Sequence, residues 1–151
     1  MKPSTLVFTV LLLAPAAALA ADSQPVVKTD PVLEQVGKAT ASQDWPTAQA
    51  LLKDAIARNP GNADYHNLYA YSIRKGANPD MSLVFKHYNE ALRLDPRHRG
   101  AHEYLGEAYL MVGNLPKAKE HLSTLDKLCF FPCSEFAELK KAVAEYEAKP
   151  K

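Results

Sequence analysis

Asp54-Ala55-Ile56-Ala57-Arg58-Asn59-Pro60 returns 36 residues later as Glu90-Ala91-Leu92-Arg93-Leu94-Asp95-Pro96. Each copy reads as the end of an amphipathic helix stopped by proline, whose ring cannot follow a preceding helical turn. A second echo spans 70 residues, from Asp44-Trp45-Pro46-Thr47-Ala48 to Asn114-Leu115-Pro116-Lys117-Ala118. The two separations differ by 34, a period that reads helix, turn, helix, turn. An all-α array of stacked helix pairs follows.

Working outward, the apolar periodicity fills in the units. A first helix over about 31–42 carries Val32, Val36 and Ala39 on one stripe. Asp44 caps its partner, with Pro46 tolerated in the first turn, and Ala48, Leu51, Leu52, Ala55 and Ile56 face inward. Asn62 caps the next unit, which packs through Leu68, Tyr69, Ala70 and Ile73. Its loop over 75–80 is two residues longer than a 34-residue unit needs, and Leu83, Val84, Tyr88, Ala91 and Leu92 follow. The third unit holds Tyr104-Leu105-Gly106, Tyr109, a turn at Gly113-Asn114, and inward Ala118, Leu122 and Leu125. Ser134 is the expected cap of a last helix with Phe136, Leu139, Val143 and Tyr146 on one side. Glu138, Lys140, Lys141, Glu145 and Glu147 keep its other side wet, as the terminal helix of a repeat stack requires. Six repeat helices and one cap make seven.

This pattern resembles the tetratricopeptide repeat (TPR) family over roughly 29–148. The third unit carries the family's leucine–glycine pair at Leu105-Gly106, the aromatic at Tyr109, the small residue at Ala118 and the large apolar at Leu122. The first keeps Ala48, Leu52, Ala55 and Pro60; the second keeps Ala70, Tyr88, Ala91 and Pro96. Val32, His66 and His102 stand where the family has tryptophan. The resemblance implies a right-handed α-solenoid of three helix pairs plus a capping helix, with units at about 29–62, 63–98 and 99–132 and the cap at 134–148. It also implies a non-enzymatic module that holds a segment of another protein in a concave groove. By helical phase that groove shows Asn67, Tyr71 and Arg74 from the second unit, and Glu103, Glu107 and Leu110 from the third. Members that grip a C-terminal carboxylate use asparagine with lysine or arginine, which Asn67 and Arg74 fit loosely. Glu103 and Glu107 argue against that grip, because two surface carboxylates would each repel an incoming one by about 3–4 kcal/mol before salt screening. A polar or basic partner segment is expected. Reversing both charges, Glu103→Lys with Glu107→Lys, is expected to abolish capture and leave thermal unfolding nearly unchanged.

The N-terminus reads as a cleaved signal peptide over 1–20. Lys2 precedes the apolar run Leu6–Leu13, and Ala18-Leu19-Ala20 offers small residues at the peptidase sites. An uncleaved anchor is the bland alternative. The stretch 21–30 reads as a flexible leader and 31–148 as the repeat domain. Removing Lys2 takes 18 basic residues to 17, against 17 acidic. That neutral balance gives no case for nucleic acid or an anionic membrane surface, and no membrane insertion is expected after cleavage. Export, with the periplasm as the expected compartment, places Cys129 and Cys133 where disulfides persist.

Chemistry is sparse. Cys129 and Cys133 are separated by three residues and lack a surrounding strand–helix unit, so a structural disulfide pinning the last helix is favoured over a thiol or metal carrier. His98 and His102 have a ligand-like spacing, but His98 falls in the turn after Pro96. His66 and His102 sit at equivalent repeat sites, and packing is the simplest account of both. No metal, cofactor or catalytic residue is assigned. Self-assembly as a homo-oligomeric envelope subunit remains the alternative to an adaptor.

Overall fold

The computed structural model describes residues 29–149. The expected signal peptide and residues 21–28 of the leader lie outside the described residues. Seven helices follow in order: α1 (Pro31–Ala41), α2 (Trp45–Arg58), α3 (Ala63–Arg74), α4 (Met81–Leu94), α5 (Arg99–Met111), α6 (Leu115–Leu128) and α7 (Ser134–Glu147). Among the described residues there is no strand. The helices pair as α1–α2, α3–α4 and α5–α6, each pair packing on the next, and α7 closes the stack against α5 and α6.

Most helix starts are made by side chains that accept from the orphan backbone N–H groups of the first turn. Asp44, Asn62, Asp80 and Asn114 accept from Thr47, Tyr65, Leu83 and Lys117. Asp30 belongs to this set rather than to the leader. Its Oδ1 accepts from Val32 N at 2.8 Å, and its Oδ2 accepts the Tyr65 hydroxyl at 2.6 Å, which ties α1 to α3. That hydroxyl, with the Val32 and Leu33 amides, holds the Asp30 carboxyl below its ordinary value. The expected cap at Ser134 is corrected. Cys133 takes the N-cap position in an extended conformation without a side-chain capping bond, and Ser134 donates instead to Glu135. The disulfide holds the chain where it enters α7, and the helix starts one residue earlier than the hydroxyl suggested.

Three apolar clusters run along the stack, one per joint, as nearest-neighbour repeat packing requires. Val36, Leu52, Ala55 and Tyr65 join the first pair to α3. Ala70, Ile73, Val84, Tyr88, Leu105 and Ala108 join the second pair to α5. Ala118, Leu125, Leu139 and Val143 join α6 to α7. Gly106 permits the α5–α7 approach, since a Cβ there would lie 2.6 Å from Leu139 Cδ2. The α5–α6 turn passes through Gly113 at φ +77°; the equivalent turn of the first pair puts Gln43 at φ +58°.

Candidate functional site

The face shared by α3 and α5 is built by helical spacing. Asn67, Tyr71 and Arg74 lie along α3; Glu103 and Glu107 lie one turn apart on α5, with Tyr104 beside them. Arg74 is buried, 8% exposed. Its Nη2 donates to Glu107 Oε2 at 2.7 Å, and its Nε donates to the Tyr88 hydroxyl at 3.2 Å. The guanidinium lies 5.5 Å from the Tyr71 ring centre and 5.6 Å from that of Tyr104, within cation–π range. Burial opposes its charge, but Tyr88 and Glu107 outweigh it and hold the guanidinium firmly protonated. Tyr71 and Tyr104 pack at 4.7 Å, and Trp45 meets Tyr71 edge-on at 5.9 Å. Tyr71 is thus half-buried in an aromatic row.

Glu103 corrects the reading of both glutamates as surface carboxylates. It is 9% exposed and forms no ion pair among the described residues, while Glu107 is spent on Arg74. Burial, reinforced by Glu107 and by Glu135 and Glu138 on α7, pushes the Glu103 carboxyl up to about 7. The repulsion assigned to two free carboxylates is therefore smaller at neutral pH than sequence reasoning expected. The charge-reversal expectation also changes, because Glu107→Lys would strand the buried Arg74 and cannot leave stability untouched.

Asn67 is 5% exposed, and its Oδ1 has no hydrogen-bond partner. A Cβ at Gly100, one turn before Glu103, would lie 3.4 Å from Asn67 Nδ2. This amide thus flanks the acidic stretch of α5 with an acceptor unused, an expensive arrangement for a buried polar group. Leu110 lies apart from these groups, partly buried against the cluster that joins α6 to α7. The lengthened loop between α3 and α4 borders a separate recess with Trp45, Gln49 and Leu83.

Trp45, Tyr104, Glu135 and Glu138 were missed in the sequence. Tyr104 was placed only on the first helix of the third unit, and α7 was read as a cap with no share in the groove. The phase of α7 gave no signal for the two glutamates: its buried positions are Leu139 and Val143, and Glu138 is exposed.

The histidines form two copies of one device. His66 and His87 approach through Nδ1 atoms at 2.9 Å, and His102 and His121 do the same at 2.9 Å. His66 Nε2 meets the Pro60 carbonyl at 2.9 Å; His102 Nε2 meets that of Pro96 at 3.1 Å. A carbonyl only accepts, so each Nε2 carries a proton and each inner Nδ1 accepts from the outer ring. Burial and the adjoining histidine push His87 and His121 down to about 4. The packing account of His66 and His102 therefore holds. His98 instead caps α5 and reaches Asp64 at 3.0 Å, so it does not share a site with His102. Cys129 and Cys133 are joined in a disulfide, Cα atoms 5.8 Å apart.

No protein-family model matches the chain. It is 29% identical over 126 residues to the TPR repeat-containing thioredoxin TTL4 of Arabidopsis thaliana, covering 83% of this chain and 17% of that one. It is 32% identical over 95 residues to the inactive TPR repeat-containing thioredoxin TTL3 of the same plant, covering 62% and 13%. The chain thus spans less than a fifth of the length of these relatives. Among solved structures it resembles the TPR2B domain of yeast Sti1 in a pHsp70 complex, with TM-score 0.68 and 19% identity over 77% of this chain and 93% of that one. It also resembles PcrH in complex with the chaperone binding region of PopD, with TM-score 0.64 and 15% identity over 78% and 86%.

Proposed function

Since the chain is a tetratricopeptide-repeat protein, we propose that it is a non-enzymatic adaptor whose α3–α5–α7 groove holds a lysine- or arginine-bearing segment of another envelope protein. The observation that carries this reading is Glu103, a buried carboxyl without a cationic partner of its own, facing Glu107, Glu135 and Glu138. A partner's ammonium or guanidinium entering there would restore Glu103 to its ionised form and gain a charge-assisted hydrogen bond. The free Asn67 acceptor beside it suits a second donor from the same segment. Tyr71 and Tyr104 supply rigid aromatic surface of the kind that dominates binding energy. Two structural neighbours of low identity were captured with partners from other proteins, which supports a protein ligand.

We place the protein in the periplasm. The signal-like N-terminus supports this, as does a disulfide, which persists in oxidising compartments. The test is binding of extended peptides matched in length, with lysine or arginine replaced by glutamate, to the chain and to Glu103→Gln with Glu138→Gln. Basic peptides should bind best and lose about tenfold or more in the variant, a difference of about 1.4 kcal/mol. Equal binding of basic and acidic peptides, or no loss in the variant, overturns the reading.

A further inference from the structure

Phe130 and Phe131 are 95% and 79% exposed, at the apex of the small ring closed by the Cys129–Cys133 disulfide. Their rings meet edge to face with centres 5.8 Å apart. Single exposed apolar residues need no explanation, but two adjacent phenylalanines held out on a covalent ring do. The apolar surface continues along the outer face of α7, where Phe136 and Ala137 line a shallow recess with Lys140 and Lys141, one turn further on. Lys140 Nζ stands 5.7 Å from the Phe136 ring centre, and Lys127 occupies the last turn of α6 just before the ring. None of these three lysines is in an ion pair among the described residues. Asp126 lines the recess behind the phenylalanines, and the exposed Glu145 follows Lys141 by one turn of α7.

Charge is divided across α7. Glu135 and Glu138 act on Glu103 in the groove, and Glu135 also meets Arg99 at 3.5 Å, while the lysines flank the apolar strip. We propose that the Phe130–Phe131 tip, ringed by Lys127, Lys140 and Lys141, docks the array onto an anionic phospholipid surface. The rings enter the headgroup–acyl boundary and the lysine stems lie along it with their ammonium groups on phosphates. A convex tip with free, long-stemmed cations fits a fluid plane that conforms to it. Docking this way keeps the acidic groove on the opposite flank, clear of a surface that would repel it. The neutral charge of the chain averages this asymmetry away, which is why composition gave no case for such a surface. No described helix is long and apolar enough to cross a membrane, so the contact is interfacial.

The experiment is co-sedimentation of the full chain with vesicles of phosphatidylcholine alone and of phosphatidylcholine with a quarter phosphatidylglycerol. Residues 1–20 are common to all variants, so differences between variants read the tip. Binding should require the anionic lipid and fall about tenfold or more in Phe130→Ser with Phe131→Ser, whose exposed positions leave the fold intact. Each of Lys127→Glu, Lys140→Glu and Lys141→Glu should lose roughly fivefold at low salt. With Phe131→Trp, the new indole should shift to the blue and be quenched by brominated lipid, read against the parent Trp45 signal. No binding to the anionic vesicles, undiminished binding by the serine variant, or an indole that lipid does not quench overturns the proposal. So does an indole already shielded without lipid in a species of doubled mass, since a second copy would then cover the tip.

Discussion

Replacing Glu103 by glutamine puts a neutral isostere in the one groove carboxyl that has no cation of its own. The folded state holds this carboxyl near 7 against 4.5 for an ordinary glutamate, with burial as the main cause. Between those two values the folded chain binds a proton that the unfolded chain has already lost. Stability therefore falls as pH rises through that window. At pH 8 the folded wild-type chain buries the charge at a cost of about 3 kcal/mol; at pH 5 the folded carboxyl is neutral, and the cost, about 1 kcal/mol, is that of protonating a group ionised in the unfolded chain. Glu103→Gln removes the titration. Its advantage over the parent should be largest at pH 8 and shrink by about 2 kcal/mol at pH 5, less if the groove admits water. Urea unfolding followed by far-UV circular dichroism at the two pH values measures the offset, provided that both chains keep the same denaturant slope. An offset unchanged between pH 8 and pH 5 would refute the claim that this carboxyl sits buried among like charges, and with it the reason to expect a cation in the groove.

The histidine pairs carry the opposite sign. His87 and His121 are near 4 when folded and 6.5 when free, so stability is lost as pH falls below 6.5 and the loss levels off near 4. The loss is about 1–2 kcal/mol per pair after allowance for partial solvent exposure; acid unfolding in the Glu103→Gln background should show it, and His87→Gln with His121→Gln should flatten it. Glu107→Lys strands Arg74 in a buried site and should destabilise by about 3–5 kcal/mol, seen as a lowered urea midpoint. Gly106→Ala places a methyl group against Leu139, itself wholly buried. It should lose about 1–2 kcal/mol despite alanine's better helix propensity, with α7 becoming more open to hydrogen exchange. Gln43→Gly relieves a left-handed backbone at the turn where the third unit already has glycine; it should raise stability by up to about 1 kcal/mol, read as a higher urea midpoint.

The fold was legible because its determinants repeat, and the site was less so because its determinants do not. His66 and His102, equivalent in the repeat, make the same contact to a preceding proline carbonyl and the same approach to a partner ring. Periodicity alone was enough to suspect packing there. Asn67 and Glu103 are equivalent too, as are Tyr71 and Glu107, yet each pair differs in chemistry. Phase placed these four on one face, but it could not say that Arg74 would neutralise Glu107 and leave Glu103 alone. That depends on a contact across 33 residues. Nor could phase bring Glu135 and Glu138 into the groove, because α7 has no repeat mate from which to infer its orientation. Gly106 was legible as half of the family's leucine–glycine pair, but only the structure shows that Leu139 packs against it. In a stack where each unit touches only its neighbours, positions facing a neighbour are held to the period, and positions facing the groove are free to diverge. Departure from the period within a phase-matched face is therefore itself a pointer to binding. By that measure the Asn67–Glu103 pair, one amide with an unused acceptor and one carboxyl without a cation, ranks first in this chain.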